Sequence, residues 1–229
     1  PMRPLLFLAG LLLATTTAAH AAPPLVASPE AWVPAGFVVQ ETRRGDLNRD
    51  GQDDVVLLIK ATDKKGFERD RSGKLADRNR RGVVVALKKN DQYEQLLVNP
   101  ACFASDEEDG GVYFAPELGL EIRKGHLLVT YSHGRYGYWQ YNFRYQNGTL
   151  ALIGYDSSSH RGPVVLSTLS INFLTHKARV QHNLNADQED AEPKFKETWS
   201  RFPPAAPILL QEIADFDASN LERLAAPAR

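Results

Sequence analysis

The chain is poor in sulfur, with one cysteine and one methionine in 229 residues. A lone thiol excludes any intrachain disulfide, so rigidity must come from packing or from a bound ion. Cys102 itself reads as a small buried apolar residue rather than a nucleophile. An excess of charge of one sign is also missing. The 27 Lys and Arg nearly balance 28 Asp and Glu, a formal net charge of −1, which argues against a general nucleic-acid binder. No apolar run is long enough for a transmembrane helix. The six histidines form no His-Glu-x-x-His pair, and there is no Gly-x-Ser-x-Gly elbow, so neither a zincin nor an α/β-hydrolase is signalled.

The one sizeable apolar run, Leu5 to Leu13, is preceded by Arg3 and followed by the small-x-small triplet Ala19-His20-Ala21. That arrangement predicts a secretory signal peptide over residues 1–21 and a periplasmic or secreted protein. No cysteine stands just after the run, which argues against a bacterial lipid anchor. Residues 22–36 carry four prolines and read as an extended lead-in. Residues 37–229 read as a single β-rich domain, long enough to bury a good core.

Short β-like runs alternate with turn residues through this domain, predicting an all-β fold of antiparallel strands and hairpins. Glu117 to Tyr131 reads as two strands around Lys124-Gly125. Tyr136 to Asp156 reads as a hairpin turning at Asn147-Gly148, a favoured two-residue turn. That turn sets Tyr145 opposite Leu150, Phe143 opposite Leu152 and Tyr141 opposite Gly154. Trp139, Tyr141, Phe143 and Tyr145 then share the core face, with Gln140, Asn142 and Arg144 on the other. A further hairpin is expected from Val164 to Val180, turning at Thr175-His176-Lys177, with Leu169, Ile171 and Phe173 on one face. Apolar residues from Ile208 to Leu224 predict a short C-terminal helix or two. Propeller-like blades are one way to arrange such strands, but a propeller normally needs at least four, and one blade-like unit is visible.

The most specific stretch is Asp46-Leu47-Asn48-Arg49-Asp50-Gly51-Gln52-Asp53-Asp54, set between two apolar runs. Side-chain oxygens recur at every second position, and Gly51 permits a sharp turn. Such spacing suits a hard cation, calcium first and magnesium second. Asp46, Asn48 and Asp50 would supply side-chain oxygens, Gln52 its carbonyl, and Asp54 would close the loop directly or through water. Clustered carboxylates repel unless neutralised, so the metal would contribute folding energy. Asp, Asn and Gly also dominate ordinary turns, but this spacing is fuller than a turn needs. The loop is not an EF-hand, because Leu57 stands where a bidentate Glu is expected.

Strand, oxygen-rich loop and strand together resemble the FG-GAP/VCBS-type (integrin-propeller-like) calcium-binding repeat, in one copy over about residues 37–98. The resemblance implies Asp46, Asn48, Asp50 and Asp54 as ligands of a structural Ca²⁺, and Gly82 to Leu87 as the next strand of the unit. It does not settle function, since such folds host adhesion, enzyme and scaffold proteins alike.

Residues 131–139 (Tyr-Ser-His-Gly-Arg-Tyr-Gly-Tyr-Trp) are dense in aromatics and could line a sugar or peptide site, with His133 or Arg135 fixing orientation. Ser132 and His133 cannot readily meet as a catalytic pair, because adjacent strand residues point to opposite faces. Residues 63–81 carry eight basic and four acidic residues and read as a solvated, mobile loop; an anion-binding role is the functional alternative. The leading expectation is a calcium-stabilised β-protein acting as a binding or interaction module, with a protein or envelope component as partner and no catalysis. The alternative is a cell-envelope hydrolase acting on sugar or peptide through residues 131–139.

Overall fold

The computed structural model describes residues 24–108, 114–188 and 191–225. The segment assigned to the signal peptide lies outside the described residues. The fold is antiparallel all-β. Its strands are β1 (Leu25–Val26), β2 (Phe37–Gly45), β3 (Asp54–Ala61), β4 (Phe67–Arg69), β5 (Leu75–Asp77), β6 (Arg81–Lys89), β7 (Gln92–Phe103), β8 (Glu117–Arg123), β9 (His126–Ser132), β10 (Gly137–Gln146), β11 (Thr149–Arg161), β12 (Val164–Asn172), β13 (Lys177–Asn183) and β14 (Phe195–Arg201).

Two sheets carry the fold. The first has five strands in the order β1-β7-β6-β3-β2, and the second seven in the order β14-β13-β12-β11-β10-β9-β8. The second is a simple meander that curls into a half-barrel. One blade-sized four-stranded meander, β2-β3-β6-β7, is present among the described residues.

The first sheet is covered on both faces. Val56, Leu58, Val83 and Val85 face a large core shared with Leu127, Val129, Tyr141 and Phe143 of the second sheet. Their alternates Val55, Leu57, Ile59, Val84 and Ala86 form a smaller cluster under Val26, Trp32, Val33 and Phe37. This explains why β3 reads as an unbroken apolar run, as strands with two buried faces do. The Pro-rich lead-in is therefore a lid on the second face: Leu25 and Val26 pair with β7, and Pro29–Trp32 form a 3₁₀ turn.

The hairpin turns fall where their sequences demand left-handed residues. Lys124 and Gly125 have φ of 54° and 76°, and Asn147 and Gly148 have 51° and 75°, the signature of a two-residue turn that matches strand twist. Near the second turn the expected register holds, with Tyr145 opposite Leu150 and Phe143 opposite Leu152. It then slips: Asn142 faces Gly154 and Tyr141 faces Tyr155, not Gly154. Ile153 is the extra residue of this bulge. Its carbonyl accepts from Phe173 N at 3.1 Å, and its side chain is buried at 8% exposure. The core face of β10 survives the slip, with Tyr141 and Phe143 buried and Trp139 and Tyr145 packed against the same cluster.

Residues 63–81 depart from the loop expectation. A 3₁₀ turn (Lys64–Gly66) leads into the small β4–β5 hairpin. Asp70 closes it by accepting the N–H groups of Ser72 and Lys74 on one carboxylate oxygen. Lys60 anchors it to the first sheet through Asp77 at 2.9 Å and Asp106 at 2.6 Å. The charges predicted solvation, but these local pairings supply order. The tail forms two 3₁₀ turns, Leu210–Glu212 and Leu221–Ala225. It ties the sheets together: Asn99 Nδ2 donates to the carbonyls of Leu210 and Ile213 at 2.9 and 2.8 Å, and Phe216 N donates to Cys102 O.

Candidate functional site

Gly134–Tyr136 form a single 3₁₀ turn immediately before β10. Gly137 follows with φ of 114°, so close to β11 that an added Cβ would lie 1.8 Å from Ser158 O. Only glycine fits this approach. The turn closes when His133 N donates to Gly137 O and Gly162 N donates to Arg135 O. These contacts hold His133, Tyr136, Tyr138 and Trp139 together at the mouth of one cleft of about 360 Å³.

The floor of the cleft comes from the inward faces of β10 and β11. Tyr141 and Tyr155 lie with ring centroids 5.1 Å apart. Trp139 stacks on Tyr131 at 5.2 Å with an interplanar angle of 13°. Ser157 and Ser159, on the same face of β11 as Tyr155, add hydroxyls, and Ser158 completes the lining. The far wall is the tail: Phe216 packs edge-on against Tyr141 at 4.8 Å, and Ser219 Oγ lies 2.6 Å from Tyr141 Oη. Asp217 and Glu222 bring two carboxylates to the lining, which contains no Lys or Arg. Partial burial, reinforced by the nearby Asp215 carboxylate, raises the pKa of Asp217. Burial likewise pushes the Tyr141 and Tyr155 phenols up.

Ser132 and His133 do not meet as a pair: Ser132 is exposed, and His133 Nε2 sits 2.8 Å from Phe114 O. A different Ser–His contact occurs, with Ser158 Oγ 2.6 Å from His160 Nε2. Residues two apart on a strand share a face, which puts both side chains on one side of β11; the bulge beside them is on β12, where Leu166 is the extra residue. Cys102 is fully buried and its thiol is pushed up to about 12 by desolvation, the environment of an inert structural cysteine.

The oxygen-rich loop is a separate feature. Most of its side-chain oxygens meet a backbone N–H. Asp46 accepts from Asp50 N and Gly51 N, Asn48 from Asp50 N, and Asp50 from Gln52 N, at 2.9–3.0 Å. Asn48 Nδ2 also donates to Asp50 Oδ2. Gln52 Oε1 accepts from Asn90 N. Asp54 is turned inward with no exposed surface. It accepts from Leu47 N at 2.8 Å, Asn48 N at 3.3 Å and Lys88 N at 2.8 Å. Burial holds its carboxyl above the usual range against the pull of those three donors. Leu47 is thereby seated in the main core at 1% exposure. Arg49 reaches the β8–β9 turn, donating to Lys124 O at 3.0 Å.

The donor chemistry of Asp46, Asn48 and Asp50 fits calcium, since an oxygen that accepts one N–H keeps a lone pair. Among the described residues, no three His, Cys, Asp or Glu side chains gather around a common centre that could hold a metal.

Four of the thirteen residues that line the cleft, His133, Tyr136, Tyr138 and Trp139, lie in the segment singled out from sequence, residues 131–139. Tyr141 was expected only as a core residue, and Tyr155, Ser157–Ser159 and the tail residues Phe216, Asp217, Ser219 and Glu222 had no spacing signal, because the second sheet's curl and the tail's return bring them there. The serine triplet was the one compositional hint. No family model matches the chain, and no curated protein or solved structure matches it.

Proposed function

We propose that this is an exported β-protein acting as a binding module, with its ligand in the aromatic cleft and its 46–54 loop steadied by calcium. The observation that carries the reading is the convergence of Tyr136, Tyr138 and Trp139 with Asp217, Glu222 and the serine hydroxyls on one open cavity. Flat rings stack on the apolar faces of sugars and peptides, while a few hydroxyls and carboxylates fix orientation. The resemblance of the 46–54 loop to FG-GAP/VCBS repeats supports calcium as a stabiliser rather than a participant in ligand chemistry, with half-buried Asp46 and Asn48 and exposed Asp50 as the side chains able to reach it. A cell-envelope saccharide or peptide is the ligand class that suits both the predicted address and the cleft.

The test is a titration of soluble peptidoglycan fragments, followed by tryptophan fluorescence and calorimetry, with calcium present. Saturable binding weakened about tenfold in Trp139→Ala is the expected result, the scale of a lost stacking contact with its burial. Absence of saturation, or equal affinity in the variant, would remove the cleft from consideration.

The Ser158–His160 contact favours a second reading, a cell-envelope hydrolase in which His160 would take the Ser158 proton as Oγ bonds to an acyl carbon, and pass it to the leaving group as the old acyl bond breaks, water then hydrolysing the acyl-enzyme. Labelling by a fluorophosphonate that Ser158→Ala abolishes would establish it. An unlabelled parent protein would leave the binding reading alone.

A further inference from the structure

A second cavity of about 360 Å³ lies away from the aromatic cleft, and its lining is overwhelmingly apolar. Its walls are Leu152, Phe173, Phe202, Ile208, Leu221 and Leu224. Its roof is the segment Pro203-Pro204-Ala205-Ala206-Pro207, a strap between β14 and the tail. The strap is pinned at both ends, by Phe202 N donating to His176 O at 3.1 Å and by Leu152 N donating to Ile208 O at 2.8 Å. Its three prolines offer no N–H and restrict φ, so the span can stay rigid without a strand partner.

Polarity at this cavity is one-sided. Arg223 stands on its exposed rim and makes no hydrogen bond or ion pair among the described residues. His176 also lines it, and the Nδ1 of that ring is buried without a hydrogen-bond partner. The lining contains no Asp or Glu. A buried polar atom without a partner is rare in a folded protein and calls for an explanation, an unseen ligand among them. A mainly apolar pocket with a guanidinium at its mouth suits an apolar chain ending in a carboxylate, because the Arg fork pairs with both carboxylate oxygens.

The geometry points to this cavity as a binding site for a medium-chain fatty carboxylate, its tail under the proline strap and its head at Arg223 and His176. This site is independent of the ligand proposed for the aromatic cleft.

Calorimetric titration of the full chain with octanoate, decanoate and dodecanoate, all below micelle formation, tests it. One-to-one binding is expected, tightening about fourfold per methylene, the equivalent of ~0.8 kcal/mol. The methyl ester of dodecanoate should bind about tenfold more weakly than the acid. Arg223→Gln should remove that difference, and Ala206→Trp, which fills the cavity from the exposed strap, should abolish binding. Trp139→Ala should change nothing, separating this site from the cleft. No saturable binding, no dependence on chain length, or undiminished binding in Ala206→Trp would overturn the site. An ester that binds as tightly as the acid would overturn the carboxylate assignment.

Discussion

Asp54 gives the sharpest test of what the oxygen-rich loop does. Its carboxylate accepts the N–H groups of Leu47, Asn48 and Lys88, and it has no exposed surface. Asp54→Ala takes this acceptor away from all three donors. A buried donor left unsatisfied costs ~1–3 kcal/mol. The Asn48 contact, at 3.3 Å, is the weakest of the three, so the sum is about 3–5 kcal/mol. For a chain of this size that lowers Tm by roughly 6–20 °C. Asp54→Asn retains one carbonyl oxygen for Leu47 and Asn48 but turns an NH₂ group toward Lys88 N, and should cost ~1–3 kcal/mol. Guanidinium unfolding followed by circular dichroism, run in EDTA and in saturating calcium, reads both effects. A lower midpoint, an unchanged m-value and an undiminished calcium increment are expected, because Asp54 serves the backbone. A loss under about 1 kcal/mol for Asp54→Ala would refute its role in organising the loop. Disappearance of the calcium increment in Asp54→Asn would make this residue a ligand, as the FG-GAP pattern has it.

Calcium at 100-fold above Kd should stabilise the parent by about 2.7 kcal/mol in a thermal scan; Asp50→Ala should erase that gain, and an unchanged melting curve in EDTA would reduce the loop to a self-capped turn. Gly137→Ala places a methyl against Ser158 O at 1.8 Å in a backbone with φ of 114°. It should cost at least ~2 kcal/mol and disrupt the cleft mouth, seen as altered Trp139 fluorescence; a variant as stable as the parent would contradict the tight approach. At Lys60, burial opposes the charged forms of all three partners, but their hydrogen bonds win, holding Asp77 and Asp106 low and Lys60 high. The depressed carboxylates contribute stability above their unfolded pKa of about 3.9, lost as pH falls through the lower folded values. Lys60→Met should therefore flatten the fall in stability below about pH 4, and an acid-unfolding profile parallel to the parent's would show the pairing to be energetically silent.

Local chemistry was the legible part of this molecule. Lys124-Gly125 and Asn147-Gly148 announced their turns because few other residues accept left-handed backbone, and alternation placed Tyr141 and Phe143 inward. The bulge at Ile153 was invisible, because an apolar residue in an apolar strand carries no mark of being unpaired until Phe173 arrives to bond its carbonyl. The β4–β5 hairpin was hidden by its charges: Asp70 and Lys60 act through specific geometry that a charge count cannot express. The packing of one sheet on the other, and the tail that lines the cleft, depend on contacts such as Asn99 with Leu210, which no local pattern encodes. In the 46–54 loop the residue types were read as ligands for an ion, and the structure gives every one of those side chains a backbone donor as well.

The return of the tail across both sheets also sets an order of assembly. Neighbours in the second sheet are all consecutive in the chain, as are β2–β3 and β6–β7 of the first, so these hairpins can zip with short loop closures. Asn99 must instead wait for Leu210 and Ile213, 111 and 114 positions downstream. In a chain folding from its N-terminal side, both meanders can therefore form while Tyr141, Tyr155 and Trp139 still face an unfilled groove. Phe216 arriving against Tyr141 is the step that turns two sticky sheets into a finished protein. Clipping between Arg201 and Leu210 would leave an intermediate with aromatic surface open to neighbours, the form of this molecule most prone to aggregate.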